Sequence, residues 1–178
     1  MKLTPQELCQ AINSKLQFRQ AFKPWVYQVE KEGQFYVLKF GVGNSQQLIT
    51  ETELLTAAKD VLGITHLVSD YGLINDGTAE THCILKEYAP GKTLDSVDFD
   101  ERKKLSESVK QSLYDTVQEL HALRIARLGI HSGDIVINPE QTSATIVDLD
   151  MALRYDECKE INFSRAKETD LWCINKLL

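Results

Sequence analysis

Two early stretches, VYQVEK (Val26–Lys31) and QFYVLKF (Gln34–Phe40), concentrate β-branched and aromatic residues between polar ones. That composition predicts two strands, and Glu32-Gly33 stands where a hairpin turn would join them. Before them, Thr4-Pro5-Gln6-Glu7 opens a short helix running to about Asn13. The Thr4 hydroxyl can cap it, Pro5 suits its first position, and Glu7 can reach back to close a capping box. After them, Leu48, Leu55, Ala58 and Leu62 recur at helical spacing, with Asn44 or Ser45 as the cap and Gly63 as the stop. Two further strand-like runs follow, His66–Ile74 and Thr81–Ala89, split by the turn Asn75-Asp76-Gly77.

Past Pro90-Gly91 the pattern changes. Leu105, Val109, Leu113, Val117 and Leu120 form one apolar stripe, predicting a long helix that starts at Asp98 or Asp100 and packs on a core. Two short strands are expected at Ile135–Asn138 and Ala144–Leu149, joined by a polar turn, and SRAKETDLWCINKLL closes the chain as a helix. No internal repeat, low-complexity tract or flexible linker interrupts this order. A β-rich half followed by a helical half is the arrangement of an α+β protein with two lobes. The first lobe covers about 1–88, the hinge about 87–91, and the second, reduced lobe about 92–178.

Composition changes this picture little. The chain has 178 residues, 43% of them hydrophobic and 26% charged, which suits one domain or two closely packed lobes with a substantial core. A net charge of −6 argues against general attraction to nucleic acid or an anionic membrane. The opening residues read as lacking a signal peptide, and no later run is long and apolar enough for a membrane span. Cys9, Cys83, Cys158 and Cys173 are widely spaced without a CxxC pair, so they read as reduced, buried thiols. A cytoplasmic setting is expected; export by a route without a cleavable signal is the alternative.

Several charged residues stand where phosphoryl-transfer chemistry would need them. That chemistry asks for a cation on nucleotide phosphates, carboxylates on a metal, and a group that orients the acceptor hydroxyl. Lys39 ends the strand FYVLKF and is followed by a helix carrying Glu51. Lys86-Glu87-Tyr88-Ala89-Pro90-Gly91 leaves a strand through a turn. The stretch ELHALRIARLGIHSGDIVINPEQTSATIVDLDMA contains a His-x-x-Asp (His131, Asp134), a short strand pair, and Asp148 at the end of an apolar run. An unpaired carboxylate there is costly, so Asp148 calls for a cation, Mg²⁺ or Lys39.

In this order, the segments resemble the protein-kinase-like superfamily from about Phe18 to Leu178, closest in layout to small atypical members. Those include the RIO-type and the telomere/tRNA-complex-associated kinases, and the minimal effector kinases of bacterial pathogens. The resemblance implies a two-lobed fold with ATP and Mg²⁺ as cofactors. Lys39 would hold the nucleotide phosphates, and Glu51, which fits the helix pattern better than Glu53, would position it. Glu87 and Ala89 would meet the base through the hinge backbone. Asp148 would bind the metal, Asp148-Leu149-Asp150 replacing the usual Asp-Phe-Gly, and Asp134 would be the catalytic aspartate. His131 would be structural, and Asp170 would accept backbone hydrogen bonds and anchor the catalytic loop.

Three departures bear on function. The expected phosphate-covering loop, within LQFRQAFKPWVYQV, has no glycine, so its backbone cannot approach phosphates in the usual way, although Lys23 can supply charge. The catalytic loop is short: read from the left, Asp134 is the catalytic aspartate, and read from the right, it stands where a metal-binding asparagine belongs. Asn138 is the candidate substitute for that asparagine, but it lies four residues on, in the turn after the strand. Finally, nothing between Asp150 and the last helix resembles a substrate-binding segment, and most of a peptide-docking lobe is missing. Two functions follow: ATP-dependent phosphotransfer to protein Ser/Thr, or a pseudokinase that engages an unknown protein partner. A small-molecule kinase is a third reading, drawn only from Asp-Leu-Asp.

Overall fold

Thr4, Glu7 and the first helix behave as local chemistry demands. The computed structural model describes residues 3–155 and 160–178; Cys158 lies outside them. In α1 (Pro5–Ile12), Thr4 Oγ1 accepts the Glu7 N–H at 3.3 Å and Glu7 Oε2 accepts the Thr4 N–H at 2.8 Å. Two backbone donors that a helix start leaves orphaned are thereby satisfied.

The described chain is α+β and divides into two compact units, one of residues up to 53 with 66–88, the other of 54–65 with 89–178. The first contains β1 (Gln17–Lys23), β2 (Val26–Lys31), β3 (Gln34–Phe40), β4 (Leu67–Asn75) and β5 (Glu80–Glu87). They form one antiparallel sheet in the order β1-β2-β3-β5-β4. β2 and β3 have the predicted ends, whereas β5 stops at Glu87, before Tyr88-Ala89. Leu8, Cys9, Val29, Leu38 and Leu85 are among the side chains that close the core of this unit. Each such burial contributes about 1.5–3 kcal/mol.

The sequence reading missed β1. It is an edge strand with every residue except Phe18 exposed, so no buried face imposes an alternating pattern on it. Its hairpin with β2 turns at Pro24-Trp25, where Trp25 takes φ 64°. Glycine favours that region, and a bulky residue there costs on the order of 1–2 kcal/mol. The Trp25 ring packs against Phe40, with centroids 6.2 Å apart, which offsets part of that cost.

α2 (Ser45–Ala57) is capped by Asn44, whose Oδ1 accepts the Gln47 N–H at 3.2 Å. The boundary between the units falls inside this helix, at 53/54. It ends before Gly63 because the chain tightens into a turn, with the Val61 N–H on the Ala58 carbonyl at 3.0 Å. Gly63 has φ 81°, and a Cβ there would lie 2.0 Å from Thr116 Oγ1. Only glycine fits.

In the second unit the predicted long helix is two helices, α3 (Phe99–Arg102) and α4 (Glu107–Ala122). Ser106 breaks the run by capping α4: its Oγ accepts the Val109 N–H at 3.4 Å and donates to the Gln141 carbonyl at 2.9 Å. Val109, Leu113, Val117 and Leu120 are all buried, as the stripe predicts. β6 (Lys92–Thr93), β8 (Ile135–Ile137) and β9 (Ala144–Ile146) form one small sheet; β7 (Ile125–Ala126) and β10 (Leu153–Arg154) form another. α5 (Glu160–Leu177) begins earlier than the sequence suggests. Among the described residues, no helix is long and apolar enough to cross a membrane.

Candidate functional site

The first unit concentrates charge in its interior. Lys39 lies on β3, in register with Val26 of β2 and Ile84 of β5, at the centre of the sheet. Its Nζ is 2.7 Å from Glu51 Oε2, and the Glu51 side chain, carried by α2, is completely buried. Glu51, not Glu53, is thus the acidic partner of Lys39. The other oxygen, Glu51 Oε1, lies 2.5 Å from Lys86 Nζ. Lys86 belongs to β5, a central strand whose residues from Thr81 to Lys86 are all buried. Two lysines from neighbouring strands therefore grip one carboxylate, each on its own oxygen.

Sequence reasoning noted Lys86 only as part of the turn that follows. The signal was present: a lysine inside an apolar run on a strand flanked on both sides must pair with an acid. Glu87, the next residue, points the opposite way, as strand alternation requires. Its carboxylate accepts the His66 N–H at 3.2 Å and lies 2.8 Å from His66 Nδ1. Its own N–H donates to the His66 carbonyl at 2.9 Å. Tyr88 presents its ring to Phe22 of β1, stacked with centroids 6.2 Å apart, and to the edge of Phe35 at 6.1 Å. Phe22 and Phe35 are each about half exposed (48% and 47%), so this unit carries an accessible aromatic surface beside Glu87. Ala89 begins the second unit.

In the second unit, the β8–β9 hairpin sets Asp134 and Asp148 at the same end of its ladder. Asp134 immediately precedes β8 and Asp148 follows β9, and Ile135 pairs with Ile146. The Val147 N–H donates to the Asp134 carbonyl at 2.8 Å, extending the ladder one step toward both aspartates. Both residues thus stand at the open end of the hairpin. Asp134 is buried and ends a 3₁₀ turn; its Oδ2 accepts the His131 N–H at 3.2 Å and lies 3.2 Å from His131 Nε2. His131 in turn accepts the Gly133 N–H at 3.1 Å, so its hydrogen bonds stay within the loop while its side chain is 69% exposed. Asp148 is half-buried, and its Oδ1 accepts the Asp150 N–H at 3.2 Å.

Asn138 stands at the opposite end of β8. Its Oδ1 accepts the N–H groups of Thr142 and Ser143 at 2.8 and 3.0 Å, and its Nδ2 donates to Glu140 and Thr142. Closing the hairpin turn occupies both ends of the amide, and the register keeps it away from Asp148. Among the described residues, no three His, Cys, Asp or Glu side chains gather as a ready-made metal cage.

Asp170 of α5 is 3% exposed and accepts the N–H groups of Arg127 and Leu128 at 3.0 and 2.8 Å. Its Oδ2 also lies 3.0 Å from His121 Nε2. It fixes the backbone that leads from β7 toward His131. Within that segment Gly129 takes φ 64°, and a Cβ there would lie 2.6 Å from the Met151 Cβ, so no side chain fits. Cys9 and Cys83 are buried and free; burial pushes the Cys9 thiol up to about 11 and raises Cys83 further. Cys173 is half-exposed, with burial raising it less.

No protein-family model matches this sequence, and a search of curated proteins finds no match either.

Proposed function

We propose that the chain is a protein-kinase-like nucleotide-binding protein, which uses ATP and Mg²⁺ to phosphorylate Ser or Thr hydroxyls of a protein. One observation carries the reading: a strand lysine, Lys39, held at 2.7 Å by a fully buried helix carboxylate, Glu51. A buried ion pair contributes little net stability, so its usual value is to hold a charge in a defined place. Here that charge would meet the nucleotide phosphates. The exposed ring of Phe22, stacked with half-buried Tyr88, offers a surface suited to a base, and the backbone of Glu87 and Ala89 would hydrogen-bond it.

The carboxylates suit Mg²⁺, which takes one or two protein carboxylates and fills its shell with water and phosphate oxygens. Asp148 and Asp134, both at the open end of one hairpin, would hold it; when bound, the metal would neutralise phosphate charge. In transfer, the acceptor hydroxyl oxygen bonds to the γ-phosphorus, the bond to ADP breaks, and the hydroxyl proton leaves to a nearby base or water.

A specific observation favours a second reading, the pseudokinase. The Asp134 carboxylate is engaged by His131 and directly precedes a strand, which suits a metal ligand or a structural cap better than a group that orients a hydroxyl. The β1–β2 turn also lacks glycine. In that reading the aromatic surface of Phe22, Phe35 and Tyr88 would serve to engage a protein partner.

Calorimetric titration with ATP, with and without Mg²⁺, tests both. Mg²⁺-dependent binding in the natural protein, lost in Lys39→Ala and in Asp148→Ala, is expected. No binding by the natural protein would remove the nucleotide reading and leave a partner-binding module. Binding without phosphate transfer to a mixed protein substrate would select the pseudokinase.

A further inference from the structure

The proposed function assigns a task to Lys39 and Glu51 but none to Lys86, although Lys86 is the more deeply buried lysine of the cluster. Its side chain is 3% exposed against 13% for Lys39, and it meets Glu51 at 2.5 Å against 2.7 Å. A lysine is a flexible stem ending in a compact, strongly hydrated charge, and it remains in a sheet interior only where a carboxylate holds it. Glu51, 0% exposed, needs a counter-charge at all times, because an uncompensated buried carboxylate costs several kcal/mol. If Lys39 were the only lysine on Glu51, moving it onto a ligand would strip that counter-charge away. The price of binding would then be an orphaned buried carboxylate.

We propose that Lys86 is a positioning residue: the resident counter-ion of Glu51, which leaves Lys39 releasable toward an anionic ligand. The division of labour follows from where each lysine stands. Lys86 closes the buried run of β5, its side chain 3% exposed and held on the fully buried Glu51. Lys39 lies on β3 beside it, paired through Ile84, and retains some exposure. The carboxylate presents one oxygen to each, so Lys39 can leave without disturbing the Lys86 contact. The nature of the ligand rests on the proposed nucleotide reading; the division between the two lysines does not.

Four variants test it on the full chain: Lys39→Met, Lys86→Met, Lys86→Arg and the double Lys39→Met/Lys86→Met. Thermal unfolding needs no ligand. Lys39→Met is expected to fold with a melting shift of about 3 °C or less, because Lys86 still holds Glu51. The double variant is expected to lose about 10 °C or more, since no lysine then faces the carboxylate. A Lys39→Met shift as large as that of the double variant would overturn the proposal, as would a double variant no worse than Lys39→Met. Mg²⁺-ATP titration supplies the readout that a purely structural lysine would not move. Lys86→Met, with Lys39 now bound to the task of neutralising Glu51, should bind about tenfold more weakly, and Lys86→Arg should recover most of the loss. A folded Lys86→Met that binds as the natural protein does would also overturn it. If Lys86→Met fails to fold while Lys39→Met folds, the counter-ion role is supported directly. If the natural protein binds no nucleotide, the nucleotide reading falls and the unfolding comparison still decides the role of Lys86.

Discussion

The two units hold their acidic groups by different means. In the first, Glu51 is fixed by side chains 12 and 35 residues away, Lys39 and Lys86, on two different strands. In the second, Asp134 and Asp148 are fixed by backbone N–H groups 3 and 2 residues away. A carboxylate held by distant ammonium groups exists only when the sheet and α2 are already assembled. A carboxylate held by its own loop needs little beyond the local turn. The first arrangement makes charge placement part of folding, whereas in the second the local turn already supplies part of it.

The comparison breaks most sharply at Glu51. Glu51→Gln removes the charge shared by two buried lysines and should cost about 3–5 kcal/mol, read by urea denaturation. A loss below about 1 kcal/mol would show that the ammonium groups find water or another acid, and that the cluster is not a feature of the folded core.

The second unit contains its own exception, Asp170, which is buried and receives two backbone N–H groups from a segment more than 40 residues away. Asp170→Asn keeps the shape but loses the charged acceptor, and about 2–3 kcal/mol should go with it. Hydrogen exchange at Arg127 and Leu128 should accelerate in that variant. Unchanged exchange there would mean that the loop is held by β7 and not by Asp170.

The smallest effect concerns the thiols. Cys9 and Cys83 should resist a disulfide reagent at pH 8 in the folded protein, while half-exposed Cys173 reacts first. Because burial raises the Cys9 thiol from 9.0 to about 11, the stability carried by its neutral form is fully present below about pH 9. That contribution is lost as the pH rises toward 11, so alkaline unfolding should expose both thiols together. Rapid reaction of Cys9 at pH 8 would place local opening in the first unit, contrary to its packed core.

Much of this was legible in the sequence where a local pattern had a buried consequence. The capping box of Thr4 and Glu7, the strands β2 and β3, and the stripe on α4 each follow from a face that must leave water. The Asp170 contacts were likewise foreseen, from the resemblance. β1 escaped because an exposed edge strand has no such face, and the split between α3 and α4 escaped because the apolar stripe runs on from Leu105 to Val109 across Ser106, hiding the cap that serine favours. Lys86 was noted only within the segment that leaves the strand, since its partner Glu51 lies 35 residues away.

By itself, the sequence determined the α+β class and most of the element types, since periodicity acts over a few neighbouring positions; the candidacy of Lys39, Glu51, Asp134 and Asp148 came from the family resemblance of their segments. Only the tertiary structure decided that Lys86 shares Glu51 and that the β8–β9 register sets Asn138 at the end away from Asp148. Those outcomes depend on register and on desolvation, and both are set by residues far apart along the chain.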